Sequence, residues 1–186
     1  MTATDLPPVP ILLYGLGRSG LAAGRLVERQ GMRVEWFDAD PHGASAAAAR
    51  RSGWTHLPAP VNSRARVCIA APGVPWDHPD LRALREGGVE VIGEIEWVAR
   101  HLPNPMIGVT GTAGKGTVTL WTQAMLHAAG IDAAAGGNLD PALATLALEA
   151  PGPERWFVVE MSSFALERSP TFRPRVAVVT RLGRDH

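Results

Sequence analysis

Met106-Ile107-Gly108-Val109-Thr110-Gly111-Thr112-Ala113-Gly114-Lys115-Gly116-Thr117 is the stretch on which the reading of this chain turns. Its first four residues are an apolar run bounded by Pro105, suited to a buried parallel strand. Gly111 to Thr117 then supply small residues whose backbone N–H groups can wrap a polyphosphate, with Lys115 as a mobile positive charge at a helix start. Downstream, Val118, Trp121, Met125 and Ala128 recur at helical spacing, and Gly130 ends the run as a C-terminal cap would. The order strand, loop, helix is the one a phosphate site needs, because the strand fixes the loop and the helix N-terminus faces the anion.

The loop departs from the common G-x-x-x-x-G-K-[ST] pattern. Val109 stands at the first glycine, and Gly116 stands where a hydroxyl would hold Mg²⁺, leaving a displaced Thr117. A glycine-rich turn before a helix with one surface lysine would use the same residues, so the rest of the chain must decide.

Working outward, strands and helices alternate. Ile11 to Tyr14 reads as a strand, followed by a glycine loop and a helix from about Ser19 to Gln30. Val34 to Phe37, Val67 to Ala70 and Val89 to Ile92 read as further strands, with helices over Ala44 to Arg51 and Leu81 to Glu86 between them. This pattern predicts a parallel sheet with helices on its faces. Gly93 to Arg100 reads as helical, and Pro103-Asn104-Pro105 breaks the chain before the phosphate-loop strand. The division falls in this region: residues 1–93 as a Rossmann-like parallel-sheet domain and 94–186 as a P-loop ATPase α/β domain. The second domain continues with a strand near Ile131 to Ala135, a helix through Leu143 to Leu148, and strands at Trp156 to Val159 and Val176 to Val179. A parallel strand usually passes into a helix after delivering its functional residues, so a chain finishing at Arg184-Asp185-His186 is expected to hold this domain incomplete.

Composition narrows the function classes. At 186 residues with 46% apolar content, the chain can bury a real core. Eighteen basic residues balance eighteen acidic ones, and no basic run interleaved with aromatics is present, so nucleic acid and acidic membranes are not expected partners. The lone Cys68 sits in an apolar strand and has no internal disulfide partner. No run approaches the roughly 18 residues of a membrane span, and the first residues, with Asp5 and several prolines, do not resemble a signal peptide. A cytoplasmic location is expected. Nothing resembles a G-x-S-x-G elbow or a paired-cysteine metal site, and His42, His56, His78, His101 and His127 have no partner at ligand or triad spacing and read as surface or loop residues.

Four other segments carry chemistry. Gly15-Leu16-Gly17-Arg18-Ser19-Gly20 is a full G-x-G-x-x-G after the first strand, and Asp38 ends the next strand at the spacing of the dinucleotide fingerprint. Alone it reads as a nicotinamide site, yet any nucleotide diphosphate, or a helix packed close to a strand with no ligand, satisfies the same physics. Ala71-Pro72-Gly73-Val74-Pro75 suits a loop over a ligand at the strand ends, or a plain turn. Gly136-Gly137-Asn138 follows a strand and offers close backbone approach plus a donor and an acceptor, though a glycine turn would read alike. Glu160-Met161-Ser162-Ser163-Phe164 places Glu160 where a strand-end carboxylate binds Mg²⁺ beside a phosphate loop, and Asp185-His186 adds a possible imidazole ligand.

Taken together and in this order, these motifs, with Gly93-Glu94-Ile95-Glu96, resemble those of the Mur ligases, in the arrangement of the D-glutamate-adding branch. The resemblance covers nearly the whole chain. It implies a UDP-binding first domain in place of an NAD site, with Gly17, Arg18, Ser19, Asp38, Ala71, Pro72 and Gly73 as uridine-diphosphate contacts. It implies an ATP loop at Gly111, Thr112, Ala113, Gly114, Lys115, Gly116 and Thr117, with Lys115, Glu160 and His186 as catalytic residues. Mg²⁺ would be held by Glu160, His186 and Thr117, while Asn138 and Ser162 would contact the UDP-sugar. The implied activity is ATP-dependent addition of D-glutamate to UDP-N-acetylmuramoyl-L-alanine through an acyl phosphate, in peptidoglycan precursor synthesis, with ATP and Mg²⁺ required and the full-length protein a monomer. The chain departs from the pattern at Gly116, at Ala165 where glutamine is usual, and at Arg181 and Arg184, which bring positive charge near the expected metal. The family's carbamylated lysine and amino-acid-binding domain have no counterpart in residues 1–186, so this polypeptide alone is expected not to ligate.

Overall fold

The computed structural model describes residues 9–149 and 152–183. Contacts divide the chain into two units, Met1–Ile92 and Gly93–His186.

In the first unit the strands β1 (Ile11–Tyr14), β2 (Val34–Phe37), β3 (Thr55–His56), β4 (Val67–Ala70) and β5 (Glu90–Ile92) form one parallel sheet in the order β3-β2-β1-β4-β5. Helices α1 (Arg18–Arg29), α2 (Ala44–Arg51) and α3 (Pro79–Glu86) connect β1 to β2, β2 to β3 and β4 to β5, and a short 3-10 turn at Pro60–Asn62 lies between β3 and β4. Every residue of β1 is buried, as expected for the central strand of a parallel sheet covered on both faces. The chain runs from β1 to one edge and then returns to build the other, so β1 and β4 flank the point where the strand order reverses. In open α/β sheets that crevice is where ligands bind. Gly20 allows α1 to start there: a Cβ at that position would lie 2.2 Å from the Gly15 carbonyl oxygen.

The second unit opens with α4 (Glu94–His101), followed by β6 (Met106–Thr110), α5 (Lys115–Ala128), β7 (Ala133–Gly137), α6 (Leu143–Leu148), β8 (Trp156–Glu160), α7 (Ser163–Glu167) and β9 (Val176–Val179). Its sheet is also parallel, in the order β7-β8-β6-β9. Val109, Phe157, Val158 and Val159 are wholly buried at its centre. Two buried carboxylates bind α4 into this unit. Glu94 accepts from the Ala144 N–H at the start of α6. Glu96 pairs with Arg100 at 2.7 Å and accepts from the backbone N–H and the hydroxyl of Thr171.

Several sequence expectations need correction. The helix expected from Val118, Trp121, Met125 and Ala128 is present, but its apolar spacing does not mark its buried face: Trp121 and Met125 are 67% and 65% exposed, while Thr119 is fully buried. The rotation of α5 is set by the loop that starts it, which turns small Thr119 onto the sheet. Gly136 and Gly137 are the last residues of β7, not a loop, because the turn after α5 extends through Asp132. The short β3 and α7 carry too few residues for a periodic signal. His101 and His127 are exposed, as expected, with their rings 2.7 Å from the carbonyls of Trp97 and Ala133, and His78, in the turn before α3, accepts from the Asp80 N–H.

Candidate functional site

The phosphate loop lies between β6 and α5, at the ends of the strands that flank β6. Gly111 adopts φ +134° and Gly114 φ +82°, conformations that L side chains rarely adopt. At Gly111 a Cβ would also meet the Thr180 hydroxyl at 2.3 Å. The loop is laced to the segment after β9. Thr112 N–H donates to the Arg181 carbonyl at 2.7 Å, and the Thr180 hydroxyl donates to the Ala113 carbonyl at 2.7 Å. Gly183 N–H reaches the Thr112 hydroxyl at 3.0 Å.

Lys115, first residue of α5, folds back over the loop and donates to the carbonyls of Gly111 (2.8 Å) and Thr112 (3.3 Å). The first-turn N–H groups of a helix have no intrahelical acceptor and carry the positive end of its dipole. Gly111 and Thr112 of the loop, with Lys115, Ser162 and Phe164, line a cleft of about 450 Å³. A cation and glycine-turned backbone beside the start of a helix are the donor set a polyphosphate needs.

Glu160 ends β8 and is 6% exposed. Its Oε1 accepts from Asn138 Nδ2 at 2.7 Å, while Asn138 N–H donates to the Glu160 carbonyl at 2.9 Å. Gly137 makes that approach possible, since a Cβ there would lie 2.6 Å from the same carbonyl oxygen. The second oxygen, Oε2, points at Gly116, 3.1 Å from where its Cβ would be. The carboxylate therefore faces the start of α5 through the space a side chain at 116 would fill. Thr117 is exposed at the next position. Ser162 caps α7 by accepting from Ala165 N–H at 3.2 Å. Among the described residues no group of three His, Cys, Asp or Glu could hold a metal by itself. His186, the other expected ligand, lies outside the described residues.

In the first unit, Gly17 and Arg18 are exposed and Ser19 is half-buried at the start of α1. Asp38 accepts the Leu16 N–H at 2.6 Å through Oδ2 and the Asp40 N–H at 2.8 Å through Oδ1, so its carboxylate holds the glycine loop in shape. Pro72 and Gly73 are exposed beside it, and Ala71 N–H donates to the Tyr14 carbonyl at 2.8 Å. The structure brings the glycine loop, Asp38 and Ala71 to Gly73 to one end of one sheet. Sequence reading missed Tyr14, whose hydroxyl donates to Asp80 Oδ2 at 2.7 Å and lies 3.2 Å from His78 Nδ1. A polar tip on an otherwise apolar strand was its signal.

Two parallel sheets, one with a dinucleotide-type glycine loop and one with a glycine-turned strand-to-helix loop beside a buried strand-end carboxylate, define an α/β protein of the doubly wound class. Comparison with known proteins narrows the class. Residues 109–186 match the Mur ligase middle domain. The chain is 44% identical over 177 residues to the UDP-N-acetylmuramoylalanine–D-glutamate ligase of Deinococcus radiodurans, covering 95% of this chain and 37% of that protein. It is 42% identical over 179 residues to the ligase of the same name from Thermus thermophilus, covering 94% and 41%. The crystal structure of a UDP-N-acetylmuramate:L-alanyl-γ-D-glutamyl-meso-diaminopimelate ligase from Neisseria meningitides shares the fold, with TM-score 0.59 at 19% identity over 96% of this chain and 62% of that one. Residues 109–186 thus carry the match to the Mur ligase middle domain, and the chain spans about two fifths of the length of the curated relatives it resembles.

Proposed function

We propose that this chain supplies the uridine-nucleotide and ATP-phosphate sites of an ATP-dependent ligase that joins D-glutamate to UDP-N-acetylmuramoyl-L-alanine in the cytoplasm. The observation that carries the proposal is the juxtaposition in the second unit of Lys115, the glycine-turned loop and the buried Glu160. The names of the relatives support the choice of substrates.

In this reading Lys115 exchanges its two loop carbonyls for phosphate oxygens of ATP. Its charge and the start of α5 then stabilise the charge on the phosphoryl group as it passes to the substrate's terminal carboxylate. ADP leaves, and the amine of D-glutamate attacks the acyl phosphate with loss of inorganic phosphate. The donor set fits Mg²⁺: Glu160 offers one buried carboxylate oxygen toward the loop, and Mg²⁺ is commonly held by one or two carboxylates, substrate phosphates and water. Glu160 would hold the ion, Asn138 would orient Glu160, and Thr117 and His186 would complete the set. The bound ion would neutralise phosphate charge. The glycine loop and Ala71 to Gly73 would hold the uridine diphosphate.

The alternative for the first unit is a nicotinamide site on the same glycine loop. Calorimetric titration with UDP-N-acetylmuramoyl-L-alanine, NADH and ATP·Mg²⁺ separates the two. Binding of the UDP-sugar and ATP without NADH is the expected result. Tight NADH binding with no response to the UDP-sugar would sink the ligase reading.

A further inference from the structure

Tyr14 holds the Ala71 to His78 segment at both of its ends. At the near end its backbone carbonyl accepts the Ala71 N–H at 2.8 Å. At the far end its hydroxyl donates to Asp80 Oδ2 at 2.7 Å and lies 3.2 Å from Nδ1 of His78, the cap of α3. Between these points the segment folds on itself through Val74 N–H to Ala71 carbonyl and His78 N–H to Pro75 carbonyl bonds. It also rests on the glycine loop: a Cβ at Gly15 would fall 2.8 Å from the Ala71 Cβ and 3.7 Å from Val74. Any shift of the segment is therefore felt where the two loops meet.

The ring of Tyr14 is buried and meets Phe37, the residue before Asp38, with centroids 5.1 Å apart. Phenylalanine would fill the same apolar space but leave Asp80 without this donor. Burial first, and then the bond to Asp80, raises the phenol well above its ordinary range, so the hydroxyl stays a donor at every physiological pH.

We propose that Tyr14 is a positioning residue that touches no ligand and sets the Ala71 to Trp76 loop against the glycine loop, fixing the width of the uridine-diphosphate crevice. The proposal rests on the assignment of these two loops to the uridine nucleotide.

The test compares Tyr14→Phe, Asp80→Ala and Asp80→Asn in the intact enzyme that carries this chain. Tyr14→Phe should raise KM for UDP-N-acetylmuramoyl-L-alanine about tenfold, with kcat and KM for ATP unchanged, a split that general destabilisation would not produce. Amide exchange at residues 71–78 should quicken while the phosphate-loop helix keeps its protection. Asp80→Ala should reproduce both effects, Asp80→Asn should retain most of the wild-type behaviour because its amide oxygen still accepts the phenol proton, and Tyr14→Phe with Asp80→Ala should be no worse than either alone. Unchanged exchange at 71–78 in both Tyr14→Phe and Asp80→Ala would overturn the tie. Faster exchange with unchanged KM would overturn its role in binding. Wild-type protein that fails to bind the uridine substrate would instead refute the assignment of the loops.

Discussion

At the scale of single residues, the second unit turns on a carboxylate whose two oxygens have different surroundings. Asn138 fixes Oε1 of Glu160, and Gly116 leaves Oε2 facing the start of α5. A neutral donor bonded to a buried charge contributes about 1.5–3 kcal/mol, and partners of this kind orient a metal ligand as well as stabilising it. Asn138→Ala is expected to raise the Mg²⁺ concentration needed for half-maximal turnover of the intact enzyme roughly tenfold, corresponding to the lower end of that range. A Mg²⁺ titration of initial rates at saturating ATP checks this, and an unchanged midpoint would detach Asn138 from the metal. The first unit offers a second residue-scale test because Tyr14 is the only tyrosine among the 186 residues. Its folded-state pKa is raised above the unfolded value, chiefly by burial, so the stability it contributes is complete below about pH 10 and falls as pH rises beyond that. Phenolate absorbance of the 186-residue chain should therefore stay absent through pH 10, and emerge only at higher pH or with unfolding. A simple titration centred near 10 in folded protein would show that the phenol is not held.

At the scale of elements, α4 shows why an interior charge can decide which unit a helix joins. Glu96 is wholly buried, and its carboxylate ties Arg100 on its own helix to Thr171 in the distant segment before β9. Glu96→Ala removes the pair and leaves the Thr171 N–H without its acceptor, which should cost about 2–3 kcal/mol, since Arg100 is partly exposed and regains water. Urea unfolding followed by a probe in the second unit measures it, and a loss below 0.5 kcal/mol, the usual range of surface substitutions, would count against a structural role. The sequence displayed α4 as a helix but not this tie, because the partner lies 75 positions away. The same limit explains the other gaps. Short apolar runs at β1, β4, β6 and β8 were legible because a strand covered on both faces must be apolar throughout. The glycine loops were legible because few residues other than glycine suit their backbone. The face of α5 was not, since Trp121 and Met125 keep helical spacing while tertiary placement turns them outward. Candidate residues Lys115, Glu160 and Asn138 were each visible alone, whereas the bond between Asn138 and Glu160 depends on β7 and β8 being neighbours.

At the scale of the whole molecule, charge gives little protection against association, because the 186 residues carry no formal net charge at neutral pH. Among the described residues β9 is an edge strand of the second unit's sheet, where Val176 and Val179 are 47% and 55% exposed, and Leu182 just beyond is 81% exposed. A parallel sheet is normally covered on both faces, and an open apolar edge is a template for another strand. A solution of this 186-residue polypeptide is therefore expected to self-associate through β9, increasingly with concentration. Val179→Lys puts a charge on that edge at a residue that does not line the inner core, so it should shift the population toward monomer while leaving thermal stability within about 0.5 kcal/mol of the parent, as for ordinary surface substitutions. Light scattering coupled to size-exclusion chromatography over a hundredfold concentration range measures the shift. A parent chain that stays monomeric throughout, or a Val179→Lys chain that associates as strongly as the parent, would show that β9 is not the surface on which copies meet.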